Sequence, residues 1–483
     1  MTSKAPSCNP LEVLPTVETP RGASPAAAPF IPRDPCGAAG ASEGDAPRGV
    51  STVRGISIGQ KNVSRPIELA TRHALTWLGA ASGIGVLMSL LLLFPQLGAV
   101  LGPLTFGRWM PLHLNLVLYG WLALPLVGLL LRAYLPRDED GYWAEMAVQV
   151  WSASLVVGAA AWLAGQSSGK LFLDWEGISR IFFLGNLLFL AGVLASGLVR
   201  RWWAGMPRAT AAGLWAFWAL LLTVPIAMSF ATSPKTYPPI NPDTGGPTGA
   251  NLLGSTLCVI AIFAGTPLLL GLRRRTLLRR ATYEVFGALA LHTAFFVAVD
   301  RSGERTHHEP LQIAAVATLL AWAWLLPRWL RRFEWPAGSR AWLVAFLAWG
   351  GALLASAVPL FLPGLLDRIK FTNALVGHAH LAMAGLATSF AALLLVVLNQ
   401  ETRLRDVLGD RVAYFLWNGG NVVHVGALVA AGALEAMDPG ILFRGDPSIT
   451  VLYAVRAAAG ACMLAAAVRW IGRSFTGSWG RWT

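Results

Sequence analysis

Beyond residue 68 the chain is a succession of apolar runs broken by short segments that carry Gly, Pro and charge. Each run has about 20 residues, enough for a helix at ~1.5 Å per residue to cross a hydrocarbon core of ~30 Å. The runs fall at 73–95, 110–134, 145–166, 180–200, 210–231, 250–272, 283–300, 310–330, 341–363, 371–398, 411–435 and 449–472. Polar and apolar positions do not alternate within them, which argues against a membrane β-barrel. The pattern predicts an all-α integral membrane protein of about twelve transmembrane helices, occupying residues 69–475. The shortest run is 283–300.

Residues 1–68 break this pattern. They are rich in Pro, Ala, Gly and Ser, carry no helical period, and contain no apolar stretch of signal-peptide length. We read them as a disordered tail that cannot bury a core. Residues 476–483 form a short C-terminal tail.

Composition fits the same picture. Charged residues make up 13% of the chain, about half the roughly 25% usual for soluble domains. Lys and Arg outnumber Asp and Glu by 38 to 25, a formal net charge of +13. Nucleic-acid binders are basic but not this apolar, so no nucleic-acid partner is expected. Much of the basic charge collects in the loops after even-numbered runs: Arg200, Arg201 and Arg208; Arg273, Arg274, Arg275, Arg279 and Arg280; Arg328, Arg331 and Arg332; Arg403 and Arg405. The positive-inside rule places these loops, and both termini, in the cytoplasm. Of the four cysteines, Cys8 and Cys36 lie in the tail. Cys258 and Cys462 lie in apolar runs and are expected as small core residues. There is no CxxCH motif, so no haem is held through thioethers.

Chemistry then rests on eight histidines. His378 and His380 lie in Gly377-His-Ala-His, at the start of the tenth run. Two residues turn a helix by ~200°, so the two rings point to opposite faces and suit two separate haems better than one metal ion. His113, in Pro111-Leu-His-Leu-Asn, lies near the start of the second run. The second and tenth runs both begin on the outer side, so all three histidines lie at similar depth. His307 and His308 stand together in the outer loop after the seventh run. The pair reads equally as copper ligands or as solvated loop residues. His73, His292 and His424 are single histidines on apolar helices and read as structural, His292 with the best claim to be an exception. The hydroxyls of Ser229, Thr256, Thr388 and Ser389 read as helix-interface groups rather than a proton wire.

These segments resemble subunit I of the haem–copper oxidases, most closely the cbb3-type cytochrome c oxidases, with nitric oxide reductases as cousins. PLHLN, GHAH, the loop from Gln166 to Trp175, the His307-His308 pair and Tyr453-Ala-Val-Arg-Ala-Ala-Ala-Gly carry the likeness. The resemblance implies a subunit I-like bundle in the bacterial cytoplasmic membrane with two haems. His113 and His380 would be axial ligands of a low-spin haem b, and His378 the single ligand of a high-spin haem. His307 and His308 would hold a copper ion facing that haem's open side. A c-type cytochrome, or another electron-donor subunit, would supply electrons for reduction of O₂ to water.

Two departures limit that implication. The family draws a third copper histidine from span six, where this chain reads Gly246-Pro-Thr-Gly-Ala with Ala250 near that position. The cbb3-type enzymes also place a tyrosine in span seven, and this span has none beyond Tyr283 at its cytoplasmic end. Glu309, beside the pair, could add an oxygen ligand. The alternatives are a dihaem electron-transfer or sensory protein of the same fold with a degenerate copper site, and an NO reductase-like enzyme. A transporter would show internal repeats, and none is visible.

Overall fold

The structure is a computed structural model that describes residues 64–136, 141–233, 252–274, 279–300 and 307–476. Most of the N-terminal tail, the Gly246–Ala250 stretch and the last seven residues lie outside the described residues.

Twelve long helices follow one another, with no β-strand among the described residues. They are α1 (Ser64–Leu93), α2 (Phe106–Tyr134), α3 (Tyr142–Leu163), α4 (Gly177–Trp203), α5 (Arg208–Ala231) and α6 (Leu252–Leu269). Then come α7 (Arg279–Asp300), α8 (Pro310–Leu330), α9 (Arg340–Leu360), α10 (Asn373–Leu398), α11 (Arg411–Met437) and α12 (Pro447–Thr476). Eleven are long and apolar enough to cross a membrane; α6 is the shorter one. The run at 283–300, short in sequence, belongs to a helix of 22 residues because α7 begins at Arg279. The chain is thus an all-α, multi-pass membrane protein. Large apolar side chains such as Leu188, Ile226, Leu291, Val344 and Phe415 face outward, as a hydrocarbon surround permits. Cys258 and Cys462 are also exposed, contrary to the expectation that they fill the core: each lies on the outward face of its helix.

Helices α2, α1, α12, α11 and α10 pack in sequence around a ring that α10 and α2 close. Two side-chain bonds tie the ring across long stretches of chain. Trp121 Nε1 donates to Thr388 Oγ1 at 3.0 Å, and Asn399 Nδ2 donates to Thr71 Oγ1 at 2.9 Å. Thr388 also donates to the Met383 carbonyl, so its hydroxyl is committed to packing, as read from sequence.

Packing along α10 is uneven. Every residue from Thr388 to Leu398 is buried. In the half that carries the histidines, only Gly377, Leu381 and Gly385 are. One end of the helix is therefore solid core, while the histidine-bearing end is mostly part-buried.

The Gln166–Trp175 loop covers the His113-bearing end of α2. Asp174 is buried and accepts from Asn115 Nδ2 at 2.9 Å and Ser167 Oγ at 2.8 Å. Burial raises its carboxyl above the ordinary range, and those two bonds only partly offset the effect. Tyr119 donates to the Phe172 carbonyl at 2.7 Å. Trp175 stacks on Phe183 at 4.1 Å between centroids and meets Trp162 edge-on. This loop fixes α2, the helix that carries His113.

At the opposite end, Asp410 caps α11 by accepting from Ala413 N, and takes Arg469 and Arg473 of α12 at 2.6 Å each. Burial works against the charged carboxylate, but the two guanidinium groups and the backbone N–H prevail and hold it below its ordinary value of 3.8. A carboxyl depressed on folding stabilises the fold above its unfolded pKa, and the contribution is lost as pH falls through the folded value. We therefore expect acid melting of the wild-type protein to steepen below pH 3.8. Asp410→Asn should flatten that slope in thermal melts run from above pH 3.8 to ~2 units below it. A variant with an unchanged acid slope would show that Asp410 is not the group responsible.

Candidate functional site

Helix α10 begins with a double cap. Thr372 accepts from Ala374 N, and Glu435 of α11 accepts from Asn373 N at 2.7 Å. The approach of α11 is close enough that a Cβ on Gly432 would lie 1.9 Å from Ala374 N, so only glycine is tolerated there. This contact sets the position of the two histidines one and two turns further on.

His378 and His380 meet different neighbours. His378 bonds through Nδ1 to Ser356 Oγ of α9 at 2.9 Å. His380 lies against His424 of α11, ring centroids 4.7 Å apart, and within electrostatic reach of His113 on α2. The structure thus brings together His113, His380 and His424, with His378 on another side of the same helix.

The hydrogen bonds also fix tautomers. His113 Nδ1 faces the Ala81 carbonyl at 2.8 Å, and His380 Nδ1 the Val376 carbonyl at 2.8 Å. His424 Nδ1 faces the Arg456 carbonyl at 3.1 Å. A carbonyl only accepts, so each Nδ1 carries hydrogen, and in a neutral imidazole Nε2 keeps its lone pair. Ser356 spends its own hydrogen on the Leu353 carbonyl, so His378 Nδ1 must donate to it as well. All four rings therefore offer Nε2 as a ligand atom, oriented by a partner at Nδ1. His292 is the contrast: its Nδ1 accepts from Trp322 Nε1 at 3.0 Å, which leaves the hydrogen on Nε2. That bond fits the structural role expected of it from sequence.

Both α2 and α10 lose α-geometry just beyond their histidines. α2 is a π-helix over Leu116–Leu122, and α10 over Leu381–Ala387. A π-turn inserts a residue and rotates the remainder of the helix, and such turns recur at functional sites. Each holds a glycine against a tryptophan. A Cβ on Gly120 would fall 2.5 Å from Trp77, and one on Gly385 would fall 2.7 Å from Trp349. Beside His113, a Cβ on Gly85 would lie 2.9 Å from the ring.

The residues fit haem. Four imidazoles present Nε2, and the rings of His113, His378 and His380 are only part-buried although they lie within the spans. Nearby stand buried polar atoms that find no hydrogen-bond partner among the described residues: His424 Nε2, Arg456 Nε and both amide atoms of Asn421. A cation and an amide next to imidazoles suit the carboxylates of a haem edge.

A buried polar network lies between α10, α11 and α12, and sequence reading missed it. Arg456 Nη1 donates to Asn373 Oδ1 at 3.1 Å. Asn373 donates to Glu435 through both its backbone N–H and its amide, and also to Tyr453 Oη. Glu435, Tyr453 and Arg456 are all buried. Tyr453 and Arg456 share a face of α12, but Asn373 and Glu435 come from two other helices, so no local spacing marks the group.

His307 and His308 come together with a third residue. Their rings are 4.0 Å apart, and both Nε2 atoms turn to Asp367 Oδ1, at 2.9 and 3.6 Å. Asp367 belongs to the short helix Leu365–Ile369 that leads into α10. The carboxylate beside the pair is therefore Asp367 and not Glu309, which is exposed at the N-terminus of α8. Lys370 also bonds Asp367, at 3.0 Å; it and His307 hold that carboxyl below the usual range in spite of partial burial.

No protein-family model matches the chain, and no curated protein is similar enough in sequence to be matched with it.

Proposed function

We propose that this chain is a haem-carrying redox protein of the membrane, of the kind that forms subunit I of haem–copper oxidases. It would take electrons from a c-type cytochrome or another donor subunit and reduce O₂. The carrying observation is α10: it turns His378 and His380 to different neighbours, each with Nδ1 hydrogen-bonded and Nε2 available. His113 and His380 would hold a low-spin haem b, and His378 a high-spin haem, with His307 and His308 as ligands of an adjacent copper. Haem, when bound, supplies reversible one-electron chemistry and, where one axial position is open, a place for a diatomic gas.

This chain's own residues do the rest. Ala81, Val376 and Ser356 hold the imidazoles in the ligating tautomer and set their orientation. Gly85 and the two π-turns let the helices pass close to the rings. Arg456 and Asn421 offer charge and hydrogen bonds to acidic groups at the haem edge, and the fully packed half of α10 keeps water from the cytoplasmic side.

A second reading keeps the haems but drops O₂ reduction: an electron-transfer or gas-sensing dihaem protein of the same fold, or one that reduces NO. It is favoured by the absent histidine near Ala250 and the absent tyrosine in span seven. One experiment tests all of these. The purified full chain, reduced with dithionite, is scanned with and without CO, and iron and copper are counted. Two irons per chain with a CO-sensitive fraction support the proposal, copper with steady O₂ consumption selects the oxidase, and a chain expressed with haem supply that shows no haem absorption refutes it.

A further inference from the structure

We propose that His307, His308 and Asp367 form a divalent-metal site with two imidazole nitrogens and one carboxylate oxygen as ligands. It rests on the metal-binding reading of the histidine pair given above, and adds Asp367 as a third ligand. The grounds are geometric. The two Nε2 atoms lie 2.9 and 3.6 Å from Asp367 Oδ1, separations that a single ion between them can span at bond lengths of ~2.0–2.2 Å. The rings of the two adjacent residues lie 4.0 Å apart, tilted by 39°, and both Nε2 atoms turn to the same carboxylate oxygen. Asp367 comes from 60 residues further along the chain, so the convergence is a product of the fold and not of local sequence.

The donor set selects the ion. Two imidazoles and a carboxylate, with further positions open to water, suit a borderline divalent ion such as Cu(II), Zn(II) or Fe(II) rather than Ca(II) or Mg(II). Access is also open. His308 is 56% exposed and Asp367 31%, so an ion can reach the site from water without passing through the bundle, and a chelator can remove it. Lys370 bonds the same Oδ1; an ion would displace that cation or take the second carboxylate oxygen. Once bound, it would fasten the start of α8 to the segment that leads into α10, the helix of His378 and His380.

The test is a Co(II) titration of the purified full chain in detergent, followed by ligand-field absorption, with Zn(II) as competitor. We expect one Co(II) per chain, displaced by Zn(II), and affinity about tenfold or more weaker in each of His307→Ala, His308→Ala and Asp367→Asn, because each removes one of three ligands. Asp367→Glu keeps an oxygen ligand and should recover most of the loss, which separates ligation from misfolding. Unchanged affinity in Asp367→Asn, or no Co(II) bound by the wild type, would overturn the proposal. Haem absorption is recorded on the same samples. Co(II) bound through Asp367 in a chain without haem would uphold this site and refute the haem reading; haem without Co(II) would do the reverse.

Discussion

If the chain carries the two haems proposed above, His378→Ala should remove the CO-sensitive part of the reduced spectrum and leave the low-spin bands, whereas His113→Ala should remove the low-spin bands and leave CO binding. That reciprocal loss is the largest effect expected of any substitution in this chain, because each variant removes one whole haem from its site. The reasoning is local. A high-spin haem with a single protein ligand has nothing else to hold its iron, so loss of His378 takes the gas-binding signal with it. A low-spin haem loses its spectrum when either axial ligand is removed. His380→Ala should therefore repeat His113→Ala, although its residue lies two positions from His378. The reduced-minus-oxidised and CO difference spectra of the three variants check this together. If His380→Ala abolished CO binding and His378→Ala did not, the assignment of the two faces of α10 would be reversed.

His424 makes this experiment more informative. Its ring lies against His380, and its Nε2 is buried with no hydrogen-bond partner among the described residues, so it is chemically equivalent to the residues assigned as ligands. His424→Ala should retain both haem signals if His113 and His380 are the axial pair.

Glu435→Leu is expected to be the most destabilising single change outside the histidines, by about 3–5 kcal/mol, the usual cost of leaving a buried charge uncompensated. Glu435 accepts from the Asn373 backbone, the Asn373 amide and Tyr453 Oη, and Asn373 in turn carries Arg456. Removing the carboxylate leaves the guanidinium buried, α10 without its second cap, and two donors, Asn373 N and Tyr453 Oη, without an acceptor. Arg456→Met alone should cost a similar amount. The double variant should recover a large part of the loss, since replacing both members of a buried charged pair by apolar groups is often close to neutral. Denaturant unfolding in mixed micelles, run as a double-mutant cycle, measures the coupling. Strict additivity of the two single effects would show that the groups do not form one network.

The membrane architecture was legible because hydropathy works by accumulation: about 20 apolar residues in a row outweigh any local ambiguity. The helices nevertheless overrun the apolar runs. Residue 435 marks the end of the eleventh run, where a glutamate belongs at a water interface. The helix in fact continues to Met437, and the packing of α12 buries Glu435. Asp367 was illegible for a different reason: a ligand that comes from a five-residue helix, far along the chain from its partners, leaves no spacing to find. His424 and His292 look alike in sequence, each a lone histidine on an apolar helix. What separates them is whether Nδ1 meets a carbonyl or an indole N–H, and that depends wholly on the neighbouring helix. Cys258 and Cys462 misled because, in a protein bathed in lipid, an apolar run says nothing about which side of a helix is inside.

The uneven packing of α10 bears on how the protein is made. The stretch from Thr388 to Leu398, locked to α2 and α1 through Trp121 and Thr71, is complete as soon as the chain has inserted, since it needs only side chains already present. In the stretch from Asn373 to Ala387 only Gly377, Leu381 and Gly385 are buried. If the haems proposed above bind beside His378 and His380, this helix has one half that packs unaided and one half whose packing waits on them. In cells starved of haem precursors, the histidine-bearing half would then be the part of α10 most open to proteases.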